Sequence, residues 1–278
     1  MCNFAIFIIT HNRPDKQYTL KTLRDGGYTG LLYLVADDED ESVKQLILKN
    51  PLEAVLTFSK SKYESSSEVL LQGVRASALF ARNACEDFAK KLCLDAFAVM
   101  DDDIVGLRYR WLEDGKIRSL CVQSGLDEVF ELYASFILEH NIITTSFVHV
   151  MFYVGGANNL AERISNLRDT YQIHIRNAKH PVDWLSVINE DIITEIDSSK
   201  KGNIWWSLPF VVYDAQAMNS NDGGNKEYYE NVSATTRALL ATVVCPNCCS
   251  VGYSHGKIRI LQNKQASYPM IVSSRYKK

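Results

Sequence analysis

Short apolar runs alternate with amphipathic segments through the first hundred residues. The apolar runs are rich in β-branched and aromatic residues and predict strands. They occupy Phe4–Ile9, Gly30–Ala36, Leu52–Phe58 and Phe97–Met100, and segments with helical spacing lie between them at 17–23, 42–50 and 73–92. Strands that alternate with helices pair in parallel through right-handed crossovers. The pattern therefore predicts an α/β fold with the kind of start that binds nucleotides.

The second half of the chain is less regular. It predicts a strand or a hairpin near 108–122, helices at 126–140 and 229–244, and strands at 146–154, 171–176, 204–213 and 257–261. A polar, serine-rich stretch at 59–67 predicts a mobile loop, and 160–168 predicts a short helix. We expect a mixed, mostly parallel sheet flanked by helices, with an elaborated second half.

The fourth apolar run breaks directly into three carboxylates, Asp101, Asp102 and Asp103. In an extended chain Asp101 and Asp103 project to one side and Asp102 to the other. Hard oxygen ligands of this kind suit Mg²⁺ or Mn²⁺, which can in turn hold a diphosphate. A solvated acidic turn is the competing interpretation, but the buried strand in front of the triplet favours a site.

Composition limits the classes of function. The chain has 278 residues, a net charge of −3 and 46% hydrophobic residues, which is typical of a soluble globular protein without a dominant nucleic-acid-binding surface. Seven cysteines and no evident signal peptide predict a reduced, cytoplasmic setting. No apolar run is long enough to span a bilayer.

Polar residues follow three of the predicted strands at the point where each strand ends. They are Thr10, Asn12 and Arg13, then Asp37, then the acidic triplet. Because ligands of open α/β sheets bind at the carboxyl ends of the strands, we expect these side chains to meet. The chain has neither a Gly-x-Gly-x-x-Gly after its first strand nor a P-loop, so dinucleotide-binding and P-loop functions are disfavoured.

These residues resemble those of GT-A nucleotide-sugar glycosyltransferases. Shorter motifs are similar to phage glycosyltransferases of the TET/JBP-associated type, which decorate hydroxymethylated pyrimidines in DNA. The motifs are Arg13-x-x-x-Gln17-x-Thr19-Leu20, Asn189-Glu190-Asp191-Ile192 and Gly223-Gly224-Asn225. The resemblance implies a GT-A-like, Rossmann-type fold in a single domain over 1–278. It further implies a nucleotide-binding half at 1–105 and an acceptor-binding half at 106–278.

The resemblance also implies roles for individual residues. Thr10, Asn12 and Arg13 would surround the nucleotide of the donor, and Asp37 would contact its uracil or ribose. Arg82 and Asn83 would contact the sugar or diphosphate. Asp101 and Asp102 would lie beside the ribose or sugar. Asp101 and Asp103, with a late His255, would ligate Mn²⁺ or Mg²⁺. Glu190 and Asp191 would supply the catalytic base that activates the hydroxymethyl group of 5-hydroxymethylcytosine, with a UDP-sugar as the donor.

Each role has a structural alternative. Glu190 and Asp191 suit the first turn of a helix, Arg82 suits a surface salt bridge, and His255 suits an ordinary loop position. Three alternative functions remain open: a GT-A enzyme with a glycan or small-molecule acceptor, a sugar-nucleotide nucleotidyltransferase, and a non-enzymatic binding module.

A cysteine-rich stretch, Cys245-Pro246-Asn247-Cys248-Cys249, has two interpretations. It can be half of a zinc site, completed by His255 or Cys121. Because no second pair of this spacing occurs, buried thiols are the default expectation.

Overall fold

We describe the protein from a computed structural model. The structure describes residues 2–66, 75, 77–150, 170–216, 232–254, 256–263 and 272–276. The predicted helix at 160–168 and the glycine-containing loop at 223–225 lie outside these ranges, as does His255.

Strands and helices alternate along the described chain. The strands are β1 (Phe4–Ile9), β2 (Leu31–Asp37), β3 (Ala54–Phe58), β4 (Ala96–Asp101), β5 (Ile104–Glu113), β6 (Lys116–Cys121), β7 (Thr144–His149), β8 (Ile173–Asn177), β9 (Trp205–Ala215), β10 (Cys249–Ser254) and β11 (Lys257–Gln262). The α-helices are α1 (Tyr18–Asp25), α2 (Val43–Lys49), α3 (Ala78–Lys91), α4 (Leu126–Glu139), α5 (Glu190–Lys200) and α6 (Ala234–Val244), and 3₁₀ helices cover Lys60–Ser66 and Ser274–Tyr276.

Within the described residues, nine strands form one mixed sheet in the order β3-β2-β1-β4-β8-β7-β9-β5-β6. The first four are parallel to one another. β8 runs antiparallel to β4 and β7, so β7 points the same way as β4, and β9 is parallel to β7. β5 and β6 complete the sheet with antiparallel pairings. The carboxyl ends of β1 to β4, β7 and β9 therefore lie along one edge, here called the carboxyl edge.

Helices cover both faces of this sheet because alternate residues of the central strands point to opposite sides. Ile6 and Ile8 of β1 belong to the core beneath α1 and α4, which contribute Leu23 and Phe130. The alternate residues Ala5, Phe7 and Ile9 of β1 belong to a second core beneath α3. The same alternation in β4 decides which way each acid of the triplet faces.

Two antiparallel hairpins extend the architecture. β5 and β6 are joined by Asp114 and Gly115, both at positive φ, as a tight hairpin turn requires. β10 and β11 form a separate two-stranded sheet beside α6. Cys245, Cys248 and Cys249 pack in a small core between this hairpin, α6 and α5.

The predicted fold class, a mixed and mostly parallel α/β sheet flanked by helices, is confirmed. The prediction of a mobile loop at 59–67 is wrong for 60–66, which form a 3₁₀ helix. The strand at 249–254 was not predicted. Strands from both predicted halves contribute to one sheet, and the division at residue 105 stays a prediction. No helix of the described ranges is both long and apolar enough to cross a membrane.

Candidate active site

The middle acid of the triplet is an internal anchor. Asp102 is 3% exposed and faces the α1 side of the sheet. Its carboxylate accepts hydrogen bonds from Thr10 Oγ1 at 2.6 Å and from Arg13 Nη1 at 2.7 Å. Gln17 Nε2 in turn donates to Thr10 Oγ1 and to the carbonyl of Arg13. Asp102 therefore holds Thr10 and Arg13, two residues predicted to bind the nucleotide of the donor substrate. These hydrogen bonds join the end of β1 to the end of β4.

A second contact fixes the turn of the triplet. The Thr19 hydroxyl, on α1, donates to the carbonyl of Asp101 at 2.5 Å and accepts from the backbone N–H of Ile104 at 2.9 Å. Its own backbone N–H donates to the carbonyl of Asp102. One side chain thus holds the backbone on both sides of the turn, and this orients the two outer acids.

Those outer acids share the other side of the turn. Asp101 points towards α3, and its carboxylate lies 3.7 Å from Arg82 Nη2. Asp103 accepts a hydrogen bond from Gln172 Nε2 at 3.0 Å. Burial raises the pKa of both carboxyl groups. At Asp101 the charges of Asp103 and Asp102 add to this shift against the opposing charge of Arg82, and at Asp103 burial and the charge of Asp102 bring the pKa to about 6. Buried carboxylates close to one another favour the binding of an additional cation.

Arg82 connects this pair to the second acidic cluster. Its side chain is almost fully buried, and Nη1 lies 3.0 Å from Glu190 Oε1. Nη2 donates to the carbonyl of Tyr171, and the guanidinium stacks on the ring of Trp184 at 4.9 Å. Arg82 is therefore an internal countercharge between Asp101 and Glu190, which differs from the surface salt bridge that helical arginines usually form.

Glu190 and Asp191 occupy the first turn of α5. Their position beside the positive end of the helix dipole is favourable for carboxylates. Burial, and then the charge of Glu190, raises the pKa of Asp191 to about 7, although Arg82 opposes the shift. A carboxylate with a pKa near neutrality is suited to accept a proton during a reaction.

A third cluster surrounds Asp37 at the end of β2. Asp37 Oδ2 lies 2.7 Å from His11 Nδ1, and its Oδ1 lies 3.0 Å from Lys60 Nζ. Burial alone would raise the pKa of Asp37, but the hydrogen bonds from His11 and Lys60 outweigh it and hold the pKa below the usual value. A cleft beside this cluster is lined by Asp37, Asp38 and Phe58 among others.

Asn12 and Asn83 have well-defined backbone contacts. Asn12 adopts positive φ, which asparagine tolerates, and its backbone N–H donates to Asp40 Oδ2 at 2.9 Å. Asn83 is buried, and its amide both donates to the carbonyl and accepts from the N–H of Trp184. Its amide is thus engaged with the backbone of the segment before α5, and its predicted contact with the donor stays a prediction.

A family model described as TET-associated glycosyltransferase matches residues 4–224. The chain belongs to this family. It is therefore a glycosyltransferase, as the sequence motifs predict. A search of curated protein sequences found no significant match.

Several solved structures resemble this glycosyltransferase at low sequence identity. Glucosyl-3-phosphoglycerate synthase from Mycobacterium tuberculosis, in complex with Mg²⁺ and UDP, has 12% identity and a TM-score of 0.49, over 94% of this chain and 87% of that one. The same enzyme with Mn²⁺, UDP and phosphoglyceric acid has 12% identity and a TM-score of 0.48, over 98% and 88%. A mycobacterial protein has 9% identity and a TM-score of 0.50, over 94% and 84%. This last likeness concerns the fold alone.

The glycosyltransferase also places residues at the carboxyl edge that sequence reasoning missed. Tyr213, near the end of β9, lies close enough to Asp101 and Asp191 for their charges, added to burial, to raise the pKa of its phenol. His149, at the end of β7, contacts the Tyr213 ring edge-on at 5.2 Å. The sequence put both residues in predicted strands, but only the fold brings Tyr213 near Asp101.

A buried histidine supports the Arg82 side of the site. His174 is fully buried on β8, Nε2 contacts the carbonyl of Tyr171, and the ring packs edge-on against Trp184 at 4.7 Å. Burial lowers its pKa far below the usual value, so the ring is neutral and adds no charge beside Arg82. No sequence motif marks this residue, because its role depends on packing.

The outer acids fit a divalent cation. They present hard oxygen ligands in one turn, and burial raises their pKa values although Arg82 lies near Asp101 and Arg13 near Asp103. Mg²⁺ and Mn²⁺ sites commonly use few protein carboxylates together with water and substrate phosphates. In the described ranges, no set of three His, Cys, Asp or Glu residues is arranged for a metal. The predicted ligand His255 lies outside those ranges, so its role stays a prediction.

The cysteine-rich stretch has buried thiols, the default expectation. Cys245, Cys248 and Cys249 are all buried and unoxidised. Burial raises the pKa of Cys245 and brings that of Cys249 to about 11, so both are protonated at neutral pH. Cys121, the other suggested ligand, is exposed on β6 in the main sheet.

Proposed function

We propose that this glycosyltransferase moves a sugar from a UDP-sugar to the hydroxymethyl group of 5-hydroxymethylcytosine in phage DNA, with Mn²⁺ or Mg²⁺ as the cofactor. One observation carries the proposal. Asp101, at the tip of β4, faces Glu190 of α5 across the buried Arg82, and Asp103 follows it two residues later in the same turn. Donor activation and proton abstraction then take place on two sides of a single charged centre.

The donor would bind along the ends of β1, β2 and β4. Thr10, Asn12 and Arg13 would line the nucleotide pocket. Asp102 holds the side chains of Thr10 and Arg13, and Asp40 accepts from the backbone N–H of Asn12. Hydrogen bonds from His11 and Lys60 hold the pKa of Asp37 below its usual value, which suits a carboxylate that accepts hydrogen bonds from a ribose or a uracil. Asp101 and Asp103 would hold the divalent ion, which would supply positive charge for the leaving nucleoside diphosphate.

The acceptor needs a base because a primary alcohol is a poor nucleophile at neutral pH. We assign this role to Asp191, which takes the hydroxymethyl proton as the oxygen attacks the anomeric carbon and the bond to the diphosphate breaks. Glu190 pairs with Arg82 and is less available for the proton. The hydroxymethylated base must be reached in a single strand or be flipped out of a duplex.

The acceptor is supported by the family, whose description names an association with TET, and by the short motifs at 13–20 and 189–192. A glycan or a small molecule would need the same base and the same donor site. We expect the enzyme to act in the cytoplasm of a phage-infected host.

The decisive experiment is mass spectrometry of nucleosides from hydroxymethylated DNA after incubation with a panel of UDP-sugars and Mn²⁺ or Mg²⁺. We expect a hexose or pentose adduct on 5-hydroxymethylcytosine and none on DNA with unmodified cytosine. Asp191→Asn should abolish the adduct, while Asp183→Asn, a change of the same chemistry on the segment before α5, should leave it. Transfer to a glycan or small molecule, with none to hydroxymethylated DNA, would contradict the proposed acceptor.

A further inference from the structure

The β5–β6 hairpin extends beyond its partner in the sheet. β5 pairs with β9 only from Ile104 to Tyr109, within the part of the chain that the structure describes. From Arg110 to Ser119 the two strands pair only with each other around the Asp114–Gly115 turn. We call residues 110–119 the ribbon. An isolated two-stranded ribbon is marginally stable in water, so its exposed side chains point to a binding role.

Side chains on one face of the ribbon combine an aromatic ring with positive charge. Trp111 is 42% exposed and lies directly opposite Arg118. Lys116, two residues from Arg118, points to the same face, opposite Glu113. Arg118 Nε donates to Glu113 in an exposed ion pair, which is weak and easily exchanged for another anion.

The ribbon is basic in a chain that is acidic overall. Residues 110–119 contain three basic and two acidic side chains, against a net charge of −3 for the whole protein. Basic side chains interleaved with an exposed aromatic ring are complementary to a nucleic acid, whose phosphates bind Lys and Arg and whose bases and sugars pack on aromatic rings. A second copy of this chain fits less well, because two such faces would bring like charges together and interface cores are depleted of charge.

The position of the ribbon relative to the site gives a distance. β5 begins at Ile104, directly after Asp103, and runs away from the carboxyl edge. Trp111 is seven residues along the strand, or about 23 Å at about 3.3 Å per residue. At about 3.4 Å per base pair, this corresponds to about seven base pairs of duplex.

We propose that the ribbon binds the acceptor DNA about seven base pairs from the modified base, with Lys116 and Arg118 on phosphates and Trp111 packed against the strand. This inference rests on the proposed function, because it takes DNA as the acceptor. It predicts that the contribution of the ribbon appears only when the DNA is long enough to reach it.

The test compares duplexes of about 11 and about 31 base pairs, each with one central 5-hydroxymethylcytosine, because the shorter one ends about 17 Å from its target. Lys116→Glu/Arg118→Glu should lower affinity and kcat/KM at least about tenfold on the longer duplex and less than about twofold on the shorter one. The slope of log affinity against log salt should fall by about 2 on the longer duplex, since two phosphate contacts are lost. Trp111→Ala should show the same length dependence.

A matched control is Lys21→Glu/Lys201→Glu, which changes the net charge equally in two other exposed ion pairs, on α1 and after α5. It should affect both duplexes to the same small extent. Binding of DNA is measured by fluorescence anisotropy and transfer of the sugar by mass spectrometry. A failure of the ribbon inference can therefore be distinguished from a failure of the proposed function. Equal losses on both duplexes, or a wild-type dimer that Trp111→Ala dissociates, would overturn the inference. DNA binding without transfer by the wild-type protein would instead contradict the proposed function.

Discussion

Neutralising Asp102 and neutralising its neighbour Asp103 should have opposite consequences, although the two changes are chemically identical. Asp102 is 3% exposed and accepts from Thr10 and Arg13 at 2.6 and 2.7 Å. Asp103 faces the other side of the turn and accepts from Gln172. We therefore expect Asp102→Asn to lower stability and Asp103→Asn to lower metal binding and activity.

The magnitude for Asp102 follows from the charge it leaves behind. Breaking a buried ion pair from one side costs about 3–5 kcal/mol. Because the Arg13 side chain is 14% exposed and the new amide retains one acceptor oxygen, we reduce this to about 2–4 kcal/mol. At about 2 °C per kcal/mol for a chain of this size, Tm should fall by about 4–8 °C. Asp103→Asn removes a repulsive charge and keeps an acceptor for Gln172, so Tm should stay constant or rise slightly.

The assay is thermal denaturation of both variants with and without Mn²⁺ and UDP. A ligand that binds only the folded state raises Tm, so Asp102→Asn should keep the Mn²⁺-dependent rise and Asp103→Asn should lose it. Each variant is the control for the other, because they differ from the wild type by the same atoms at adjacent positions. An Asp102→Asn protein that melts like the wild type but no longer responds to Mn²⁺ would refute the assignment of the triplet.

Three further predictions concern the base, a buried amide and the metal. The kcat/KM should fall as the pH drops below about 7, because Asp191 then takes up a proton. Glu190→Gln removes a charge that raises the pKa of Asp191, so the acidic limb of the pH profile should move to lower pH. An acidic limb that does not move would assign the titration to another group. Asn83→Ala leaves the backbone N–H and C=O of Trp184 without their partner, so the free energy of unfolding, measured by chemical denaturation, should fall by about 1–3 kcal/mol. Weakened binding of the nucleotide-sugar at unchanged stability would instead support a contact between Asn83 and the nucleotide-sugar. Chelation of divalent cations should abolish transfer, and added Mn²⁺ or Mg²⁺ should restore it; full activity in a chelator would contradict the metal site.

The first half of the fold could be predicted because local pattern and global topology agree there. The runs at 4–9 and 97–100 are apolar at every position, as central strands covered on both faces must be. The carboxyl ends of such parallel strands meet by geometry, so the sequence also brings Arg13 and the acidic triplet together. The 3₁₀ helix at 60–66 was missed because a polar serine-rich stretch carries no periodic signal.

The contents of the site were harder to predict because they depend on pairings between distant segments. Arg82 could be selected from its place before the acidic strand, but its burial between Asp101 and Glu190 requires the fold. Lys60 and His174 have no motif, since one is fixed by the ion pair with Asp37 and the other by packing against aromatic rings. Alternation along β4 did predict correctly that Asp102 faces away from its two neighbours.

That alternation makes the length of β4 a determinant of chemistry. Removing one residue between Ala96 and Asp101 would rotate the remaining acids by half a turn about the strand axis. Asp102, which accepts a hydrogen bond from Arg13, would then face Arg82. Asp101 and Asp103 would instead face the core beneath α1. Homologous chains should therefore vary freely in which apolar residue fills each position of this strand but keep the number of positions constant.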